Sequence, residues 1–328
     1  MRSGSCVAKR INQRIETIQR AKQSNIYTTS FVKISCSIKM EIIPTLNSEY
    51  LAKDLEKNSD FHVNYIQKNK DGKRFFPDGE IYMRIGGIKN QKGKVVVLHS
   101  GAPNPNDGLV ELEFVLNFLR DNKIKNLELF VTYFPYSRQD KVFEKGELNM
   151  AESLVKRWTK VYGVKKIYVI DAHFIGEKWI KKYPIIDVCA HKTLIEIVRV
   201  KYPEIVFVTP DLGSRRRTKI SGVSKKRENS YNVEIFHDDE FKKAVNGKIV
   251  GVVDDMIETG GTLVRINEKC KELGAIKLIA LITHGVLESG INKVAQNYDE
   301  LFLTNSINCK NANVNILNLI TNTLIEHE

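Results

Sequence analysis

Two adjacent carboxylates, Asp254 and Asp255, stand between a short apolar run and the turn Glu258-Thr259-Gly260-Gly261-Thr262. A turn of this composition can bring backbone N–H groups together on a phosphate, and the positive end of a following helix adds to the attraction. The glycines let the backbone approach closely, while Thr259 and Thr262 add hydroxyl donors. The acids cannot hold that same phosphate, because like charges repel, but a carboxylate accepts hydrogen bonds from vicinal hydroxyls. Paired acids before a phosphate turn therefore point to a phosphorylated sugar. The bland alternative is an ordinary strand, turn and helix with solvated acids.

Four further groups could do chemistry. Phe76, Asp78, Gly79 and Glu80 lie in the turn FPDGE, where the ring offers a face for a base and the acids offer acceptors. The stretch YFPYSRQDK, residues 133–141, holds Arg138 and Lys141 for phosphate, Gln139 for a base edge and aromatics for stacking. Asp171 and His173 close one apolar run and Asp211 closes another, a donor set open to a divalent cation that keeps most of its own waters. Residues 215–227 carry seven Lys/Arg and no acid, among small residues that include Gly222 and Ser224. Such a run reads either as a nucleic-acid patch or as a cationic arm closing over a transferring phosphoryl group. No recognition helix, aromatic platform or zinc spacing accompanies it, so no nucleic-acid partner is expected.

The elements that must position these groups are legible as apolar periodicity. Strands are expected at 94–100, 127–132, 166–170, 205–209, 249–253 and 276–283, and an alternating strand after the turn near 81–84. Helices are expected at 109–119 (capped by Asn106 or Asp107), 150–158, 194–200, 263–273 and 316–325. Residues 41–70 carry little pattern. Strands alternating with helices predict an α/β fold with a doubly wound, mostly parallel sheet, or two such sheets in tandem. In such sheets ligands sit beyond the carboxyl ends of the strands, where the 133–141 stretch, Asp171, His173, Asp211 and the 254–262 loop fall.

The chain has 328 residues, 42% hydrophobic and 27% charged, a length for about two domains with sizeable cores. No apolar run reaches the roughly 20 residues of a membrane span, so no membrane partner is expected. Five scattered cysteines without metal spacing read as reduced thiols of the cytoplasm. Residues 1–39 supply +7 of the net +12 and are rich in Ser and Thr. That composition fits either a transit peptide, with organellar import, or an upstream start outside the fold.

The loop at 254–262 resembles the ribose-5-phosphate loop of type I phosphoribosyltransferases, with Glu258 where Asp or Ser is more usual. The ordered set FPDGE, NDGLVELE, PYSRQDK, DAH, PDLGSRRR, KKR, VVDDMIETGGT and THGVLESG resembles the ribose-phosphate diphosphokinase family over nearly all of residues 40–328. Ser214 in place of a glycine, and the stretch 174–183, depart from that pattern. The resemblance implies two tandem phosphoribosyltransferase-like domains. One spans 40–184, with a helix at about 310–328 packing back on it, and the other spans 185–309. It implies ATP and ribose 5-phosphate as substrates, Mg²⁺ as cofactor, and a homo-oligomer with shared active sites. By position, Phe76, Asp78, Gly79, Glu80, Arg138 and Gln139 would bind ATP, and His173 and Asp211 would attend the metal. Asp254, Asp255, Glu258, Thr259, Gly260, Gly261 and Thr262 would bind ribose 5-phosphate, and Lys225 and Arg227 would act in catalysis. Two other activities share parts of this pattern: a phosphoribosyltransferase consuming phosphoribosyl pyrophosphate, and a catalytically silent regulatory relative.

Overall fold

The computed structural model describes residues 40–88, 93–210 and 239–327. The basic extension 1–39 lies outside them. Two parallel sheets organise the described chain. The first has six strands in the order β2-β1-β3-β4-β5-β6: β1 (Met40–Pro44), β2 (Phe61–Val63), β3 (Val95–Ser100), β4 (Leu127–Tyr133), β5 (Lys166–Ile170) and β6 (Ile185–Val188). Its order reverses between β1 and β3, which puts helices on both faces. The second has four, β10-β9-β8-β7, built from β7 (Val206–Val208), β8 (Ile249–Ile257), β9 (Lys277–Gly285) and β10 (Glu300–Leu303).

Each sheet is covered on both faces, which is why its strands read as unbroken apolar runs. On the first sheet, α2 (Pro105–Asp121) and α3 (Met150–Lys160) bury Leu112, Val115, Val155 and Trp158 against Val95, Val97, Leu129 and Val169. The other face carries α1 (Glu49–Leu55) and α8 (Leu317–Glu326), whose Leu51, Leu55, Ile320 and Leu324 meet Ile42, Val96 and Phe130. On the second sheet, α4 (Ala190–Lys201) buries Leu194 and Val198 on Val253 and Ile279. The opposite face is closed by α5 (Asp239–Val245), α6 (Gly261–Glu272) and α7 (Glu288–Asn297), through Val245, Ile266 and Val294.

Several expectations shift. The strand expected at 249–253 runs on to Ile257, because β9 is equally long and pairs as far as Ile257 with Gly285. Asp254 and Asp255 therefore sit inside a strand, on opposite faces, rather than beyond its end. The helix expected at 109–119 starts at Pro105 with Asn104 as its cap, since proline is suited to the first helical position. The alternating strand near 81–84 reduces to the isolated bridges of Phe75 with Ile81 and Ile66 with Ile85. β6, at 185–188, pairs with β5 in the first sheet.

The C-terminal helix α8 is a structural member of the first sheet's core. Leu324 is 1% exposed there, so Leu324→Ala should lower unfolding stability by about 2–4 kcal/mol. Urea denaturation measures it, and a loss below about 0.5 kcal/mol, the range of ordinary surface changes, would mean that the helix is not packed as described.

Candidate active site

The carboxyl ends of the two sheets face each other, and side chains at the strand ends join them. Asp171, the residue after β5, accepts from Thr283 Oγ1 of β9 at 2.7 Å and from the backbone N–H of His191 at 2.9 Å. Its other oxygen meets His191 Nδ1 at 2.8 Å. One residue along β9, His284 Nε2 donates to the Ile170 carbonyl at 3.0 Å while its Nδ1 meets Ser306 Oγ at 2.8 Å. The ring of Tyr133 at the end of β4 lies edge-on to His284, 5.1 Å between centroids.

The two histidines differ in charge for identifiable reasons. Burial pushes the His284 imidazole below its usual range, so it is neutral, with its proton fixed on Nε2 by the carbonyl it faces. Burial also opposes charge on His191, but hydrogen bonds to Asp171 and Cys189 outweigh it and raise that group to about 10.

Two further pairs cross between the sheets. His173 Nδ1 meets Asp255 Oδ2 at 2.8 Å, and Arg138 forms an ion pair with Glu258. Thus Arg138, expected at ATP, touches the first residue of the expected sugar-phosphate turn. His173, expected at the metal, touches one of the paired acids. Asp255, expected at the sugar, already gives one oxygen to His173, which leaves Nε2 as that ring's outward nitrogen. Asp254 is 8% exposed and its Oδ1 accepts from the Asp255 N–H at 3.0 Å. Asp171, read from sequence as a partner of His173 at a cation, is turned instead to His191 and Thr283, because its oxygens are taken by those three donors.

The turn itself is shaped by glycine. Gly260 caps α6 in the left-handed conformation, φ 74°, and leaves the first N–H groups of that helix without intrahelical partners. The turn rests on α7 so closely that a Cβ on Gly290 would collide with the Glu258 carbonyl. Gly290 was not among the residues expected to matter, although the motif GVLESG contained it. A glycine two residues into a helix was the available signal. Asp140, within the 133–141 stretch, lies close by. It is 7% exposed, burial raises its carboxyl above the usual range, and the charge of nearby His173 works against that rise.

The Phe76–Glu80 turn stands apart. Among the described residues its hydrogen bonds stay within the hairpin: Phe76 N–H to Glu80 O at 2.8 Å, Gly79 N–H to Phe76 O at 3.0 Å, and Glu80 N–H to Asp78 Oδ1 at 3.1 Å. The Phe76 ring is exposed and edge-on to Tyr82. Gln139 is exposed, its N–H bonded to Tyr136 O at 3.0 Å. The unusual stretch 174–183 supports this loop from behind. Phe174 and Trp179 are buried beside Phe134, and Trp179 Nε1 donates to Asp140 O at 2.9 Å. Asp211, Lys225 and Arg227 lie outside the described residues.

Residues 40–163 match the family model of the N-terminal domain of ribose phosphate pyrophosphokinase, and 240–324 match that of the phosphoribosyl synthetase-associated domain. A ribose-phosphate pyrophosphokinase of Pyrococcus furiosus is 32% identical over 262 residues, which is 76% of this chain and 90% of that one. The chain belongs to the ribose-phosphate pyrophosphokinase family. Another family member, from Thermococcus kodakarensis, is 33% identical over 71% of this chain and 84% of its own. The crystal structure of phosphoribosylpyrophosphate synthetase from Mycobacterium smegmatis shares the fold, with a TM-score of 0.71 over 88% of this chain and 100% of that one, at 24% identity. Its fold is that of the type I phosphoribosyltransferases, the α/β class expected from the strand–helix alternation.

Two outcomes are expected from this geometry. Gly290→Ala should displace the 258–259 backbone and lower catalytic efficiency by on the order of 100-fold while the far-ultraviolet spectrum stays unchanged; an unaffected rate would show that the turn can yield. Since the folded-state pKa of His191 is raised to about 10 from 6.5, its contribution to stability is full below about pH 6.5 and is lost as pH rises towards 10. The difference in unfolding free energy between the parent and His191→Gln should therefore shrink over that window, as read from denaturant titrations at each pH.

Proposed function

We propose that this chain transfers the β,γ-diphosphoryl group of ATP to the anomeric hydroxyl of ribose 5-phosphate, giving phosphoribosyl pyrophosphate and AMP. The observation that carries the reading is the pair of cross-sheet contacts, Arg138 with Glu258 and His173 with Asp255. They bring a nucleotide-type loop and a sugar-phosphate turn to one place, as a two-substrate transfer requires. A phosphoribosyltransferase that consumes phosphoribosyl pyrophosphate would give the 133–141 loop no task.

In this reading the N–H groups at the start of α6 and the hydroxyls of Thr259 and Thr262 hold the 5-phosphate. Arg138 offsets the charge that Glu258 would otherwise turn on that phosphate. Asp254 accepts from the ribose hydroxyls, and Asp255 orients His173. The ribose O1 attacks the β-phosphorus and AMP departs, so the protein chiefly aligns the reactants and neutralises charge. Arg138 and Gln139 face ATP, and Phe76, Asp78, Gly79 and Glu80 face ATP from a neighbouring subunit of a homo-oligomer. Lys225 and Arg227 act on charge that develops during transfer.

The donors present fit Mg²⁺, which arrives with ATP and needs few protein ligands: the Nε2 of His173 is directed away from Asp255, with Asp211 as its expected companion. When bound, it would neutralise phosphate charge and polarise the transferring group. Two phosphoribosyltransferase-like halves, changing over after β6, provide the frame. No helix of the described residues is long and apolar enough to cross a membrane. The three free cysteines among the described residues fit a reducing cytoplasm.

Incubation with ATP, Mg²⁺ and ribose 5-phosphate should release AMP in step with phosphoribosyl pyrophosphate; ADP or free phosphate in its place would overturn the reading. Lys225→Ala should lower kcat roughly a hundred- to several-thousand-fold with little change in either KM. Lys219→Ala, in the same basic run, should be nearly silent, and equal losses at the two lysines would return the run to a general basic face.

A further inference from the structure

Cys189 occupies the junction between the two sheets, immediately after β6, and is the N-cap of the twelve-residue helix α4. Its sulfur lies against the His191 ring, 3.1 Å from Nε2 and 3.6 Å from Nδ1, and that Nδ1 lies 2.8 Å from Asp171 Oδ1. The thiol thus rests on an imidazole that the carboxylate holds. The order of burial also suits reactivity, with His191 and Asp171 enclosed and Cys189 reaching partial exposure. The positive end of a helix and the cationic ring of His191 both lie beside the sulfur.

The other two described cysteines lack this setting. Cys270 is fully buried and burial pushes its thiol up to about 12, while burial also raises Cys309. A structural metal is a weaker account of the cluster. Zinc bound to both sulfur and nitrogen would hold them about 3.5 Å apart by its usual bond lengths. Here sulfur and Nε2 are at 3.1 Å and Nδ1 is occupied by Asp171.

We infer that Cys189 is a modification site, a nucleophilic thiol that exchanges with low-molecular-weight disulfides beside the His191 imidazolium, which Asp171 holds in place. The thiol proton passes to solvent and the sulfur attacks one sulfur of the disulfide. A new S–S bond forms as the old one breaks, and the departing thiolate leaves with the bonding electron pair and takes a proton from solvent. The products are a mixed disulfide at Cys189 and one free small thiol, so atoms and electrons balance. A group attached at Cys189 must displace His191, whose N–H and ring both bind the carboxylate that Thr283 also binds. Modification would therefore loosen the junction and slow turnover. That last consequence rests on the function proposed above, whereas the exchange itself does not.

The test treats the reduced full chain with oxidised glutathione at neutral pH and follows each cysteine by peptide mass spectrometry, with AMP release measured in parallel. Cys189 should be modified at least about ten-fold faster than Cys309 in the same molecules, and His191→Gln should remove about ten-fold or more of that rate while leaving Cys309 unchanged. Equal rates at Cys189 and Cys309 in the unaltered chain would overturn the inference, as would a Cys189 rate indifferent to His191→Gln. If Cys270 became reactive in the variant, showing that it had unfolded, the comparison within the unaltered chain would decide alone. Turnover that falls with modification and is protected in Cys189→Ser would support the link to the junction. Modification without loss of turnover would remove that link and leave the thiol assignment standing.

Discussion

The carboxylate of Asp171 is the point on which the arrangement of the two sheets depends. It takes three hydrogen bonds, from a side chain of the second sheet, from the first turn of α4 and from an imidazole that itself reaches a thiol. To present its oxygens there the residue adopts φ 39°, a left-handed conformation that a non-glycine residue holds only at a cost of order 1–3 kcal/mol. The hydrogen bonds to a buried carboxylate are of the charge-assisted kind and can offset that cost. Without the carboxylate, the buried N–H and cationic ring of His191 would lose the anion they face, a penalty comparable to the strain. His173, two residues on, inherits its position from this fixed point.

A division of labour among nearby histidines follows. His284 is deep, neutral and bound to a carbonyl, so it serves as a rigid spacer between the sheets. His191 is equally enclosed but faces an anion, and it carries charge. His173 remains about a third exposed and turns one nitrogen to Asp255, which leaves the other outward. The same side chain thus does three things within a few residues of one strand end, and what separates them is the acceptor each nitrogen meets.

Much of this was legible in the sequence where the signal was local. The runs that became β3, β4, β5, β8 and β9 are apolar and β-branched, and both faces of their sheets are covered, so pattern and environment agree. The turn at 258–262 announced its conformation through Gly260. What could not be read were features set by partners distant in the chain. The length of β8 was fixed by β9, and the turning of Asp171 away from His173 was fixed by Thr283, more than a hundred residues away. Residues 40–63 gave little because β1 is completed by β3 and β2, and α1 by a helix at the far end of the chain. The weight of Gly290 came from a backbone carbonyl that no sequence window includes.

The return of α8 to the first sheet has a consequence for how such a chain comes into being. Met40, Ile42, Leu51 and Leu55 share a core with Ile316, Ile320 and Leu324, so one face of the first sheet is covered by α1 alone until nearly everything else has been synthesised. At an elongation rate of roughly 5–20 residues per second, that face waits on the order of ten seconds or more on the ribosome. Meanwhile the second sheet, whose members are contiguous from α4 to β10, can close first. Birth order and assembly order would then run in opposite directions, and the earliest apolar strand would be the one most in need of a chaperone.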